Sequence, residues 1–463
     1  MDYVENRTFD EIKVGDAASL VRTLSRDDIN LFAVMSGDVN PSHVDDEYAR
    51  SDMFHEIVAH GMWGGALIST LLGTRLPGPG TIYLGQTLRF QRPVTVGDTV
   101  TVSVTATAKD AQKHRVTFAC ECINQRREVV IKGDAEVLAP TEKVKRPRAI
   151  LPEVHLHERG ARYRELIDLT KGLAPIRTAV VHPVDRYSLL GALDAARANL
   201  IVPVLIGPEA KIRAAAEALD VDLAPYTLVA TAHSHEAAAR AVAMARAGEV
   251  EALMKGSLHT DELMHEVVAR PTGLATERRI SHVFVMDVPT YPRPLFITDA
   301  AINIAPDLDA KRDIVQNAID LAHVLGLESP KVAILSAVET VTPKMQSTLD
   351  AAALCKMADR GQITGGVLDG PLAFDNAVSE EAARIKSIAS PVAGKADILL
   401  VPDLEAGNIL VKQLGYLADA EGAGIVLGAR VPIILTSRAD TVLARMASCA
   451  MGLVAARRGR SAP

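Results

Sequence analysis

Around Pro140–Arg148 the chain changes texture, and that change constrains the fold more than any other feature. Before it, runs rich in Val, Ile, Thr and Phe (82–90, 99–107, 115–123 and 128–138) follow one another with only turn residues between them. Partial period-two alternation of this kind predicts an antiparallel sheet. After it, Ala-rich helical segments such as 189–198, 236–247 and 310–324 alternate with short apolar runs. The runs at 178–182, 202–206, 252–254, 295–298, 332–335, 366–368, 398–401 and 431–436 read as strands. Buried strands alternating with helices predict a largely parallel α/β sheet. The junction mixes prolines with basic residues and has no period, as linkers do. A chain of 463 residues is too long for one core. The expected divisions are a first domain over 1–139, a linker over 140–155, a second domain over 156–455 and a tail over 456–463.

Composition narrows the class. Hydrophobic residues make up 48% and charged residues 23%, a globular balance, and the net charge of −7 argues against bulk nucleic-acid binding. No uncharged apolar run reaches membrane-spanning length, and the start, Met1-Asp-Tyr-Val-Glu-Asn6, is unlike a signal peptide. Four cysteines without metal-like spacing do not make a disulfide scaffold. A cytoplasmic enzyme is expected, with no membrane or nucleic-acid partner.

In the first half, Phe32-Ala-Val-Met-Ser-Gly-Asp-Val-Asn-Pro-Ser-His43 sets Asp38 and His43 on either side of an Asn-Pro turn. Pro41 excludes a helix interior, and Gly37 and Asn40 tolerate unusual backbone angles, so this is a shaped loop. Taken alone, Asp-x-Asn-Pro reads better as an Asx-turn beside a surface histidine. A fixed carboxylate and imidazole can also place one water between a base and an acid. Val58-Ala-His-Gly-Met62 follows, then the small-residue helix Trp63–Leu72. One buried helix and an antiparallel sheet able to wrap it make an α+β layer arrangement. His55 and His60 read as structural or exposed.

Residues 9–138 resemble a MaoC-type hot-dog domain of the (R)-specific enoyl-CoA hydratase family, through Phe32, Ser36, Gly37, Asp38, Asn40, Pro41, His43 and Ala49. Met35 and Ser42 depart from the family pattern. The resemblance implies that Asp38 and His43 hold and activate the water. It implies too that Gly61, at a helix N-terminus with unpaired N–H groups, binds the thioester oxygen together with Asn40.

In the second half, strand ends carry Lys255-Gly-Ser257, Asp299, Glu339, Asp369-Gly-Pro371, Asp403 and Ser437-Arg438. Ligands of open α/β sheets bind at the carboxyl ends of strands, so one cleft is expected to collect them. Neither a dinucleotide fingerprint nor a P-loop is present. Residues 160–455 resemble the phosphate acetyl/butyryltransferase family through six ordered motifs. These are Leu253–Ser257 with Thr260, Phe296–Pro306, Asp369–Asn376, Val392–Asp397, Asp403–Asn408 and Val431–Asp440. The resemblance implies two α/β lobes around a cleft, as in the isocitrate/isopropylmalate dehydrogenase-like group, and transfer of an acyl group between CoA and phosphate. It draws Lys255, Ser257, Thr260, Asp299, Asn303, Asp369, Asp375 and Asn408 into the cleft, with Ser437 and Arg438 as phosphate ligands. Leu-Thr-Ser-Arg-Ala-Asp440 is the butyryltransferase-like ending, and the position that carries a candidate base in acetyl-type members is Ala444. Asp440 is therefore the substitute base, with a helix-cap role as its alternative.

The combined reading is a bifunctional acyl-CoA enzyme that hydrates 2-enoyl-CoA and exchanges a short acyl group between CoA and phosphate. Neither reaction calls for a metal or a redox cofactor, and a homo-oligomer is expected. The alternatives are a non-catalytic or thioesterase hot-dog module, or a dehydrogenase on the related α/β fold.

Overall fold

The structure, a computed structural model, describes residues 3–152, 154, 156, 160–436 and 440–459. It divides into two compact units, Met1–Leu156 and His157–Pro463.

The strands of the first unit are β1 (Tyr3–Glu5), β2 (Ala17–Thr23), β3 (Ile82–Gln86), β4 (Arg89–Phe90), β5 (Thr99–Asp110), β6 (Arg115–Asn124), β7 (Val129–Leu138) and β8 (Lys145–Pro147). The main sheet runs β2-β5-β6-β7-β3, with β4 also on β7, and every pairing is antiparallel. β6 alternates between half-buried and buried along its whole length, as a strand with one face on a core must. That face packs on the helix Gly61–Thr74. Ile68, Leu71 and Leu72 of the helix join Val102, Val104, Phe118 and Cys120 in one core cluster. Gly64 lets the helix approach the sheet closely, because a Cβ there would lie 2.3 Å from Ile131 Cδ1. This is a hot-dog arrangement, as expected.

The stretch read as a linker is partly bound to the first unit. β8 pairs with β1, Asn6 Nδ2 donates to the Glu142 carbonyl at 2.8 Å, and Lys143 Nζ reaches the Glu11 carboxylate at 2.9 Å. Lys143 and Lys145 find acidic partners on the N-terminal segment, a non-local pairing that local composition does not display.

The second unit contains β9 (Ile176–Val181), β10 (Ile201–Gly207), β11 (Thr227–Ala230), β12 (Ala252–Lys255), β13 (Ser281–Asp287), β14 (Leu295–Thr298), β15 (Lys331–Leu335), β16 (Val367–Leu372), β17 (Ile398–Leu400), β18 (Glu421–Leu427) and β19 (Ile433–Ile434). They form one sheet in the order β11-β10-β9-β12-β19-β18-β13-β14-β17-β15-β16. The two wings are parallel, but β13 pairs antiparallel with both β14 and β18, and β18 pairs antiparallel with β19. The sheet is therefore mixed at its centre. Sequence reading misses β11, β13 and β18. In β18 the reason is visible: Gly424 and Gly422 stand opposite Phe284 and Met286. A Cβ on Gly424 would meet His282 Nε2 at 2.7 Å, and one on Gly422 would meet Met286 Sδ at 2.8 Å. Glycines demanded by packing depress the strand signal.

The antiparallel centre has a consequence for the site. Because β13 and β18 reverse direction between the wings, the carboxyl ends of β12 and β19 lie on one edge of the sheet. Those of β14, β15, β16 and β17 lie on the other.

Candidate functional site

The Asp-His loop is built by capping. Ser25 and Asp28 form a capping box that opens the helix Arg26–Ser36, and Gly37 closes it at φ 75°, a left-handed angle suited to glycine. The chain then turns through Asp38, whose Oδ1 accepts the Asn40 N–H at 3.2 Å, so the Asx-type bond is present. The other carboxylate oxygen has no partner among the described residues. Asn40 in turn caps the short helix Pro41–Val44, accepting the Ser42 N–H at 3.3 Å. Ser42, the departure from the family pattern, gives its hydroxyl to Asp52 Oδ2 at 2.7 Å, and this bond is the main cause holding the Asp52 carboxyl below its usual range. Ser42 thus ties the loop down.

His43 Nδ1 lies 2.8 Å from the Val58 carbonyl oxygen. A carbonyl only accepts, so Nδ1 carries the proton and Nε2 presents its lone pair. His60 Nε2 donates to the Asp38 carbonyl at 3.0 Å, and its ring lies 4.0 Å from the His43 ring and 4.9 Å from Phe32. One ligand atom each of Asp38, His43 and His60 lie within 4.8 Å of one another. That spacing suits a water held between Asp38 and His43 by two ordinary hydrogen bonds. The same three side chains are the set that would hold a divalent cation.

Asn40, His43, His60 and Gly61 line a cavity of about 350 Å³ with the apolar Trp63, Val94, Val100, Cys122, Val130 and Ile131, and Gln91 and Arg92 also reach its wall. Gly61, on the cavity wall, is the first residue of the central helix, whose N-terminus lacks a side-chain cap. A helix's first N–H groups have no intrahelical acceptor, and of this turn the Trp63 N–H donates to the His60 carbonyl at 2.9 Å. Burial pushes the Cys122 thiol up to about 12, which leaves no reactive thiolate in the cavity. His55, by contrast, is exposed. His60 is the residue that sequence reading underrates, and its only signal is its place beside Gly61.

In the second unit the expected residues separate into groups. Lys255 ends β12, and Ser257 lies just beyond it. Gly256 and Ser257 donate backbone bonds to Val181 and His182. The Asp185 carboxyl is raised by burial but pulled lower overall by the Ser188 N–H and the Ser257 hydroxyl. Asp299 is buried on its loop and accepts from the N–H groups of Ala301, Ile302 and Asn303, and from Asn303 Nδ2 at 2.6 Å. Asn303 Oδ1 accepts from Arg279 Nε at 2.7 Å, and Asn408 Nδ2 donates to the Ala300 carbonyl at 3.2 Å. Asp299, Asn303 and Asn408 therefore shape one loop. Burial holds the neighbouring His282 imidazole well below its usual range, against the pull of Asp299.

Thr260 and Asn303 share a cleft of about 1000 Å³ that runs beside the helix Thr260–Val268 and holds His265, Arg270, Arg278 and Arg279. Asp369 and Asp375 do not join it. Asp369 accepts the Gly370 N–H on β16, and Asp375 pairs with Lys386 at 3.0 Å. β16 is seven strands from β12 in the sheet order, on the order of 33 Å along the sheet. The expectation of one cleft at the carboxyl ends assumed that both wings run in the same direction. The reversed centre removes that assumption.

Ser437 and Arg438 lie outside the described residues. Asp440 precedes the helix Val442–Arg458, whose N-terminus is capped by the Thr441 side chain through the Ala444 N–H. The Asp440 carbonyl accepts from Arg445 Nη1 at 2.8 Å. The cap role therefore belongs to Thr441.

Fold and site together define a hot-dog unit with a water-sized Asp-His gap over an apolar cavity, followed by a mixed-sheet α/β unit. Residues 12–124 match the MaoC like domain family, and residues 229–452 match the phosphate acetyl/butaryl transferase family. The phosphate acetyltransferase of Rhizobium meliloti is 65% identical over 302 residues, covering 65% of this chain and 96% of that protein. The phosphate butyryltransferase of Clostridium acetobutylicum is 40% identical over 294 residues, covering 64% and 98%. A solved branched-chain phosphotransacylase from Enterococcus faecalis is similar with a TM-score of 0.52 and 29% identity, covering 60% of this chain and 99% of that one. The chain belongs to the phosphate acetyl/butyryltransferase family, fused behind a MaoC-like hot-dog domain. Among the described residues, no helix is long and apolar enough to cross a membrane.

Proposed function

We propose a bifunctional acyl-CoA enzyme whose first unit hydrates 2-enoyl-CoA to 3-hydroxyacyl-CoA. Its second unit transfers a short acyl group reversibly between CoA and inorganic phosphate. For the first activity the supporting observation is that His43, whose Nδ1 is bound to the Val58 carbonyl so that Nε2 is left for another partner, lines a largely apolar cavity and lies near Asp38. Asp38 and His43 hold water, one takes its proton as oxygen adds to the β-carbon, and the other returns a proton to the α-carbon. The Gly61 N–H, with Asn40 beside it, receives the charge that develops on the thioester oxygen.

For the second activity the support is the identity of 65% with a protein named phosphate acetyltransferase. A phosphate oxygen attacks the thioester carbonyl, the C–S bond breaks, and CoA thiolate leaves as acyl phosphate forms. Ser437 and Arg438 bind the phosphate, and Asp440 is the base for the CoA thiol in reverse. Thr260 and Asn303 line the cleft that we assign to the acyltransferase reaction, between two lobes of the isocitrate-dehydrogenase-like kind. The identity of 65% with the Rhizobium meliloti phosphate acetyltransferase, against 40% with the Clostridium acetobutylicum phosphate butyryltransferase, favours acetyl, against what the Thr-Ser-Arg-Ala-Asp ending suggests. A cytoplasmic homo-oligomer without metal or redox cofactor completes the reading.

The deciding experiment incubates the chain with crotonyl-CoA, acetyl-CoA or butyryl-CoA, with and without phosphate, and follows double-bond absorbance and thiol release. Loss of absorbance with crotonyl-CoA and phosphate-dependent thiol release support the reading. Phosphate-independent thiol release would instead indicate a thioesterase, and turnover only with a hydroxyacid, NAD and Mg²⁺ a dehydrogenase.

A further inference from the structure

We propose that His60 is a positioning residue for hydration, holding both members of the Asp38–His43 pair in register. This inference rests on the hydratase reading of that pair. His60 is 3% exposed, and its two ring contacts serve different partners. Its Nε2–H bond to the Asp38 carbonyl is the non-local tie on a residue otherwise held by local bonds, from its own N–H to Ser36 Oγ and from the Asn40 N–H to its carboxylate. Its ring, between Phe32 and His43, sets the plane of the imidazole whose Nδ1 is fixed on Val58. His60 itself immediately precedes the central helix, so core packing of that helix fixes where the ring sits.

A packing role alone does not account for the residue. Among the described residues His60 Nδ1 is buried without a hydrogen-bond partner, and the side chain makes no cap bond to the helix it precedes. A bare buried nitrogen is unfavourable, and an apolar ring would fill the same space without it. What an apolar ring could not supply is the N–H on the Asp38 carbonyl.

That difference sets the test, made in the full-length chain with phosphate-dependent acyl transfer as an internal control. His60→Phe keeps a flat ring against His43 and removes the donor, and His60→Gln keeps a donor and removes the ring. Both should keep KM for crotonyl-CoA within about two-fold and lower kcat by roughly 10–100-fold, because a misplaced pair loses rate more than binding. Trp63, the chain's single tryptophan and part of the same cavity wall, reports folding of this unit by fluorescence. Wild-type kcat in a folded His60→Phe overturns the proposal. So does a loss of kcat in both variants that matches the loss of folded fraction. Asp38→Asn and His43→Asn separate the two levels: if they hydrate normally the hydratase reading fails, and if they alone are impaired only the role of His60 fails.

Discussion

His43→Asn probes the hydration chemistry with little other disturbance. The asparagine side-chain amide can take the place of Nδ1–H and donate to the Val58 carbonyl, which lies 2.8 Å from Nδ1 in the native site. The backbone bond from the His43 N–H to the Asn40 carbonyl at 2.9 Å is unaffected. What disappears is Nε2, the ring nitrogen that the Val58 carbonyl leaves for another partner. Losing a general acid or base typically slows a reaction about 10²–10⁴-fold, which corresponds to roughly 2.7–5.4 kcal/mol of transition-state stabilisation. The variant should bind crotonyl-CoA as before, because the apolar lining from Trp63 to Ile131 is untouched. Its hydration should fall by at least about a hundredfold in kcat. The assay is the absorbance of the conjugated thioester, with acetyl transfer to phosphate measured on the same sample. A folded variant that hydrates at the wild-type rate would refute the assignment of His43 to proton transfer.

Lys311 and Asp350 form an ion pair at 2.7 Å with both side chains buried, so Lys311→Ala should destabilise the second unit by roughly 3–5 kcal/mol in chemical denaturation. Asp185→Ala removes the cap of the helix Arg186–Arg197 and the acceptor of the Ser257 hydroxyl, at a cost of about 0.5–2 kcal/mol. The folded Asp185 pKa is depressed below 3.8, so its stabilisation is present above that value and disappears as pH falls through the folded pKa. Wild type and variant should accordingly converge in thermal midpoint in acid and diverge near neutrality. Arg438→Lys keeps charge but loses the two-pronged geometry, and should raise the apparent KM for phosphate. Acetyl-CoA should exceed butyryl-CoA in kcat/KM, and the reverse order would restore the expectation drawn from the Thr-Ser-Arg-Ala-Asp ending.

Much of the first unit is legible locally. Its four strand runs need only a residue's own type and its neighbours at period two, and the Asp38–His43 loop is spelled by glycine, asparagine and proline. His60 is less visible, because a histidine looks the same in sequence whether it is exposed, buried, or stacked on the His43 imidazole and bonded to the carbonyl of Asp38, 22 residues earlier. β8 in the supposed linker is illegible for a similar reason, since Lys143 and Lys145 look like linker residues until Glu5 and Glu11 are brought beside them.

The sequence by itself determined that there are two units of different architecture and which short motifs carry chemistry, because periodicity and turn chemistry are local properties. Only the tertiary structure decided which motifs meet. Two strands at the centre of the second sheet, one of them weakened in signal by Gly422 and Gly424, reverse its direction and send the two sets of carboxyl ends to opposite edges. Strand direction depends on pairing across long chain separations, so no local pattern shows that the strand end before Lys255 and those before Asp299 and Asp403 lie on opposite edges, or that Asp369 and Asp375 stand outside the cleft lined by Thr260 and Asn303.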